Sequence, residues 1–270
     1  MFSSILVAVD ILDPDFAAVA FERARRMAER DSARLTVISV VPAWPDDLAK
    51  VPGDYKPRLE AWVDRRRGDT EVTPLVRVGG SISGRIMEVV SETGADLVVM
   101  ASHNPRMTDY LIGSNAAHVA LHAPCSVLVH RAAEGAGPVP PNHVVVPVDL
   151  DNSGVAAKAM AIGQRIARTD EARLTALSIV PMIEDGMSGG PPDYQAMLED
   201  YVAGIDGEPK PRGELRIAPS VSGEIRIFAQ ENDVDLIVMA SHEPRLSDYV
   251  IGSNAAHVAL HTPCSVMVVR

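Results

Sequence analysis

The chain has 270 residues, 47% hydrophobic and 23% charged, with a net charge of −11 from 25 basic and 36 acidic side chains. That length suits two domains of about 130 residues, each able to bury a core without disulfides or metals. The acidic balance, with lysine only at Lys50, Lys56, Lys158 and Lys210, excludes the positive stripe that a nucleic acid or an anionic membrane surface requires.

Residues 4–9 form a nearly continuous apolar run closed by Asp10, the pattern of a strand buried on both faces of a parallel sheet. No basic segment or long apolar segment precedes it, so neither export nor membrane insertion is expected. Phe16, Val19, Ala20, Arg23, Ala24 and Met27 have helical spacing and predict a helix over 16–30. A strand over 35–41 is stopped by Pro42, and a short helix follows over about 54–66. A third strand over 73–78 turns through Gly79-Gly80 into a helix over 83–93. The fourth strand, 96–101, runs into a loop over 103–112, then a helix over 114–122 and a last strand over 126–129. Strands alternating with helices imply a doubly wound parallel sheet, with any ligand beyond the carboxyl ends of the strands where the winding reverses.

The whole plan occurs twice. Ala101-Ser102-His103 recurs as Ala240-Ser241-His242, Gly113-Ser114-Asn115 as Gly252-Ser253-Asn254, and Asp54-Tyr55 as Asp193-Tyr194, always 139 residues on. Asp10 matches Asp149 at the same offset. Over 96–131, roughly 28 of 36 positions are identical in the second copy, and upstream the match is patchier. That contrast points to a site or a shared interface near the end of each copy. Gly135, Gly137, Pro138, Pro140 and Pro141 mark a linker over 132–142, dividing the chain into domains 1–131 and 143–270. Cys125 and Cys264 occupy matching places in apolar runs and read as buried small hydrophobes of a protein from a reducing compartment.

Each copy resembles the universal stress protein domain over its length. The resemblance rests on Ala101-Ser102-His103-Asn104-Pro105, Gly113-Ser114-Asn115-Ala116-Ala117 and Pro124-Cys125-Ser126-Val127-Leu128-Val129. It is nearest the filament-type subgroup, whose motif reads Ala-Ser-His-x-Pro and ends Gly-Ser-Asn-Ala. The resemblance implies an α/β fold of two tandem Rossmann-like domains, each a five-stranded sheet ordered 3-2-1-4-5. It also implies that the two copies pair as an intrachain pseudo-dimer through their last strands, 126–129 and 265–268, with a homodimer as a further assembly. Many members bind ATP, and others bind a nucleotide remnant or nothing. The family pattern Gly-x2-Gly-x9-Gly-Ser/Thr is altered here. Ala101 and Ala240 replace the first glycine, Asn104 and Glu243 the second, and the spacer is one residue short. The filament-type subgroup shares the alanine and the shortening.

The same resemblance implies an adenine-nucleotide site, for ATP or AMP, with Mg accompanying the phosphates. In the first copy it comprises Asp10, Val41, Gly80, Ala101, His103, Arg106, Gly113, Ser114 and Asn115. In the second it comprises Asp149, Val180, Ala240, His242, Arg245, Gly252, Ser253 and Asn254. An acidic residue ending the first strand suits a ribose hydroxyl or the adenine amine; the same residue is also a common helix N-cap. Gly113-Ser114 opens a helix whose free N–H groups and dipole suit a phosphate. Arg106 and Arg245 suit phosphate as bidentate donors or stand as solvated loop arginines, and His103 and His242 either contact phosphate or order the loop. The first copy is expected to bind better. It has Gly79-Gly80 where the second has Ala218-Pro219, and neutral Asn104 where the second has Glu243. Against that, Pro147 matches the family's first strand better than Ala8 does.

His118 and His122, and again His257 and His261, have the i,i+4 spacing that presents two imidazoles to a metal. No further ligand stands at an obvious spacing, so these read as packed or surface pairs and no metal is expected. The run Arg65-Arg66-Arg67 reads as a solvated helix end. No Ser-His-Asp order, close carboxylate pair or Gly-x4-Gly-Lys loop is present, and no catalytic residue is assigned. The leading expectation is a cytoplasmic stress-response protein governed by nucleotide binding rather than turnover. A nucleotide-free interaction protein and a weak ATPase or self-phosphorylating protein are the alternatives.

Overall fold

Short strands of valine, leucine and isoleucine alternate with amphipathic helices along the whole chain. The structure, a computed structural model, describes residues 2–43, 55–102, 113–131, 140–182, 193–241 and 252–270. It divides into two units, Met1–Val139 and Pro140–Arg270.

The first unit contains β1 (Ser4–Ala8), α1 (Ala18–Asp31), β2 (Arg34–Val41), α2 (Tyr55–Asp64), β3 (Val72–Val78), α3 (Ile82–Thr93), β4 (Leu97–Ala101), α4 (Ser114–His122) and β5 (Ser126–His130). All its strand pairs are parallel and run in the order β3-β2-β1-β4-β5. Central β1 is covered on both faces, which is why Ile5, Leu6 and Val7 are fully buried and the strand shows no polar alternation. α1 lays Ala20, Phe21, Ala24, Met27 and Ala28 on the core, and α3 lays Ile86, Val89 and Val90. Ser81 caps α3, its Oγ accepting the N–H of Gly84 at 3.1 Å. The first helix starts at Ala18, two residues later than its apolar spacing suggests. Residues 10–17 are held in turns instead, with Asp13 N–H donating to Asp10 C=O and Ala17 N–H to Pro14 C=O.

The second unit repeats the plan with β6 (His143–Pro147), α5 (Ala157–Asp170), β7 (Arg173–Pro181), α6 (Tyr194–Ala203), β8 (Arg212–Ala218), α7 (Val221–Glu231), β9 (Leu236–Ala240), α8 (Ser253–His261) and β10 (Ser265–Val269). Its strand order, β8-β7-β6-β9-β10, is that of the first unit by position. One departure lies at the entrance to α5. Leu150–Ala156 forms a 3-10 segment kinked at Asn152, where the first unit has open turns. In each unit the winding reverses beside the first strand, between β1 and β4 and between β6 and β9, as the alternation of elements requires. Among the described residues no helix is long and apolar enough to cross a membrane.

Candidate functional site

The two central strand pairs differ at their carboxyl ends. The β1–β4 register runs from Ile5 opposite Leu97 to Ala8 opposite Met100. The β6–β9 register holds Val144 opposite Leu236 and Val145 opposite Ile237, and ends there. The cause is Pro147. Val148 N–H donates to Leu177 C=O on the β7 side. Backbone groups alternate sides along a strand, so the N–H of residue 147 would face β9, and proline has none.

Beyond the last rung of the β6–β9 ladder lies a cavity of about 810 Å3. Asp149, Val180, Ala240, Gly252, Ser253 and Asn254 all line it. These are the described members of the site expected for the second copy; His242 and Arg245 lie outside the described residues. Leu177, Ile179, Val221, Ile225 and Met239 supply apolar walls. Pockets for small ligands typically measure about 300–1,000 Å3 and combine such walls with a few polar groups.

Each polar group has a local origin. Asp149 Oδ1 accepts the N–H of Asp151 at 3.1 Å and caps the 3-10 segment, so the N-cap role anticipated for this acid is met. Asp10 Oδ1 likewise accepts Leu12 N–H at 2.9 Å, within a turn. In both cases the turn engages one carboxylate oxygen and leaves the residue exposed. Gly113 and Gly252 precede α4 and α8 with extended ψ and no side-chain cap. The first-turn N–H groups of these helices, at Ser114 to Ala116 and Ser253 to Ala255, thus carry the positive end of the dipole without a capping side chain. Among the described residues, a Cβ on Gly113 would meet nothing within 4 Å.

The cavity also includes Asn152, Ser178 and Tyr194, which no sequence motif marks. Ser178 and Tyr194 have counterparts at the 139-residue offset in Ser39 and Tyr55, and that repetition was the available signal. Ser39 is buried, and its Oγ accepts the N–H of Ile11 at 3.2 Å, fixing the turn after β1.

The sequence matches the universal stress protein family model over residues 1–131 and 141–270. The chain belongs to the universal stress protein family. Universal stress protein G of Shigella flexneri is 29% identical over 144 residues, spanning 48% of this chain and 100% of that protein. The protein of the same name from Salmonella typhimurium is 28% identical over the same shares. Among solved structures, a functionally unknown protein from Pseudomonas aeruginosa PAO1 aligns with a TM-score of 0.76 at 18% identity, covering 99% of this chain and 92% of its own. A universal stress protein from Archaeoglobus fulgidus DSM 4304 aligns at 0.66 and 15% identity, covering 99% and 96%. The structural likeness supports the fold. The family match runs across both copies, which makes this a tandem universal stress protein.

In the first domain of this universal stress protein, Asp10, Val41, Ala101, Gly113, Ser114 and Asn115 stand at the corresponding element ends. His103 and Arg106 lie outside the described residues. Val41 is buried, and its C=O accepts Gly79 N–H at 2.9 Å. Gly79 and Gly80 have φ of +70° and +80°, which only glycine adopts readily. Arg85 lies against them, its Nε donating to Gly79 C=O at 3.1 Å and sitting 3.0 Å from where a Gly80 Cβ would be. The backbone surface that favoured the first copy is therefore lined by an arginine. In the second domain Glu224 takes the place of Arg85, and Arg216 lies 4.0 Å from it.

Proposed function

We propose that this tandem universal stress protein binds an adenine nucleotide, ATP or AMP, as a regulatory ligand in the cytoplasm, with Mg accompanying the phosphates when ATP is bound. The observation that carries this reading is the cavity beyond β6 and β9, which gathers residues spread from Asp149 to Asn254. The apolar walls from Ile179, Val180, Val221 and Met239 suit a base, the Asp149 carboxylate suits a ribose or amine donor, and the N-terminus of α8 suits a phosphate. The first domain is proposed to use Asp10, Val41, Gly80, Ala101, Gly113, Ser114 and Asn115 in the same roles, with His103 and Arg106, and the second to add His242 and Arg245. The motif Ala-Ser-His-x-Pro supports reading the chain as a filament-type member. The residues carry no assigned acid, base or nucleophile, so binding rather than turnover is the proposed output. Within each unit β5 and β10 are the last strands, and we propose that the two domains pair along them.

The test is isothermal titration of the nucleotide-stripped chain with ATP and AMP, beside Gly113→Val and Gly252→Val. A valine at either N-cap blocks approach to the helix N-terminus. Micromolar binding reduced by one or both variants supports the reading and names the working domain. No binding by the parent chain overturns it and favours a nucleotide-free interaction protein.

A further inference from the structure

Helices α4 and α8 carry the same nine residues, Ser-Asn-Ala-Ala-His-Val-Ala-Leu-His. Ala116, Val119 and Ala120, and likewise Ala255, Val258 and Ala259, are the buried positions. The histidines lie off that stripe: His118, His122 and His257 are exposed and His261 is half-buried. In both helices the two rings face one another across a single turn. Their centroids are 4.6 Å apart with a 47° tilt for His118 and His122, and 4.5 Å apart with a 44° tilt for His257 and His261. Core packing does not require two imidazoles at outward positions. The outward positions of α3 and α7 have diverged, with Arg85, Met87 and Glu88 corresponding to Glu224, Arg226 and Ile227, whereas those of α4 and α8 are shared throughout.

We propose that each histidine pair is an open two-imidazole chelate for a late first-row divalent ion, Cu2+ foremost, with Ni2+ and Zn2+ weaker. Side chains at i and i+4 lie one above the other on a helix, so two ring nitrogens can reach a single ion. Imidazole favours Cu, Ni and Zn, whereas Mg and Ca prefer oxygen donors. Among the described residues no group of three or more His, Cys, Asp or Glu could hold a metal. The absence of a third ligand is what argues against a closed structural site. An open site needs none, and its remaining positions take water or an exchangeable ligand. This inference does not depend on nucleotide binding, and it adds one ion per domain.

The experiment is equilibrium dialysis of the chelator-stripped, nucleotide-free full chain against Cu2+ at pH 7.5, with electron paramagnetic resonance of the bound ion. The parent chain is expected to hold two ions with nitrogen hyperfine structure. The His118→Ala/His122→Ala variant should hold one, and the variant that also carries His257→Ala and His261→Ala none, with unchanged circular dichroism. Equal Cu2+ binding by the parent and the fourfold variant overturns the proposal, as does a parent that binds no ion. Loss of less than one ion on removing either pair overturns it for that pair.

Discussion

Val145 faces Ile237 at the last rung of the β6–β9 ladder, two rungs short of the level where Ala8 faces Met100 in the first domain. The difference comes from one residue, Pro147, whose missing N–H falls on the β9 side. Pro147→Ala should let the ladder continue. A restored backbone hydrogen bond contributes about 1 kcal/mol. The melting temperature should therefore rise by about 3 °C, while nucleotide affinity at the second domain falls severalfold as the cavity narrows. Thermal melts and titration on the same sample check both. A stabilised variant that binds ATP as tightly as the parent would show that the interrupted β6–β9 ladder does not shape the site.

The two domains also differ at the opposite ends of their strands. In the second, buried His143 bridges β6 to its neighbours, with Nε2 2.9 Å from Thr175 Oγ1 and Nδ1 3.1 Å from Asn232 C=O. In the first, Ser4 stands at that position, with its Oγ 3.4 Å from Thr93 C=O, beside a cavity of about 600 Å3 lined also by Arg34, Thr36 and Thr70. Ser4→His should fill this space and stabilise the first domain by about 1 kcal/mol. His143→Ser should cost about 2 kcal/mol, through a void and lost hydrogen bonds. Burial foremost, and then the nearby Arg173, hold the His143 imidazole below its ordinary value. A depressed histidine contributes stability above the unfolded value near 6.5 and loses it as pH falls toward the folded value. The cost of His143→Ser should thus be larger at pH 7.5 than at pH 5, by denaturant titration at both.

His130 at the end of β5 gives the sharper pH dependence. Burial, with a smaller contribution from the Arg23 charge, pushes its imidazole down to about 4. Between pH 6.5 and that value the unfolded chain takes up a proton that the folded chain refuses. The folded state therefore loses roughly 3 kcal/mol as pH falls across the window. The second domain has Val269 at the matching position. His130→Val should remove most of this acid loss while leaving stability at pH 7.5 little changed. An acid limb as steep in the variant as in the parent would count against the assignment.

The strands and the winding are legible because the central strands are apolar at nearly every position, and the 139-residue repeat gives each element twice. Strand and helix ends shift where a turn competes, as at 10–17, where Asp10 and Pro14 carbonyls capture N–H groups before the helix begins. The membership of the site is legible where it tracks motif residues such as Asp149 and Gly252. It is not legible at Ser178, Tyr194 or Asn152, which reach the cavity through the sheet geometry and the kinked 3-10 segment. The effect of Pro147 also escaped composition and periodicity, because it depends on which neighbour its missing N–H would face.

The proposed pairing of the domains along their last strands makes its own prediction. Within its unit each of β5 and β10 has one parallel ladder, to β4 and β9. An apolar edge strand left open invites uncontrolled association. Cysteine pairs introduced on β5 and β10 should crosslink within one chain under mild oxidation. Crosslinks confined to pairs on other faces would reject the arrangement.

Asp149 serves two roles that substitution can separate. Its Oδ1 caps the 3-10 segment through Asp151 N–H, and its charge lines the cavity. Asp149→Asn keeps an oxygen able to accept that N–H, so folding stability should hold. It loses the anionic acceptor proposed for a ribose hydroxyl or adenine amine. Hydrogen bonds to charged groups contribute about 1.5–3 kcal/mol, so affinity should fall by about tenfold or more. Asp149→Ala removes the cap as well and should cost about 1 kcal/mol of stability on top of the binding loss. Asp10→Asn and Asp10→Ala repeat the comparison in the first domain, where the same oxygen holds Leu12 N–H at 2.9 Å. If ATP affinity stays at the parent value in both variants while the alanine variant alone loses stability, these acids are turn residues alone and the nucleotide contact lies elsewhere.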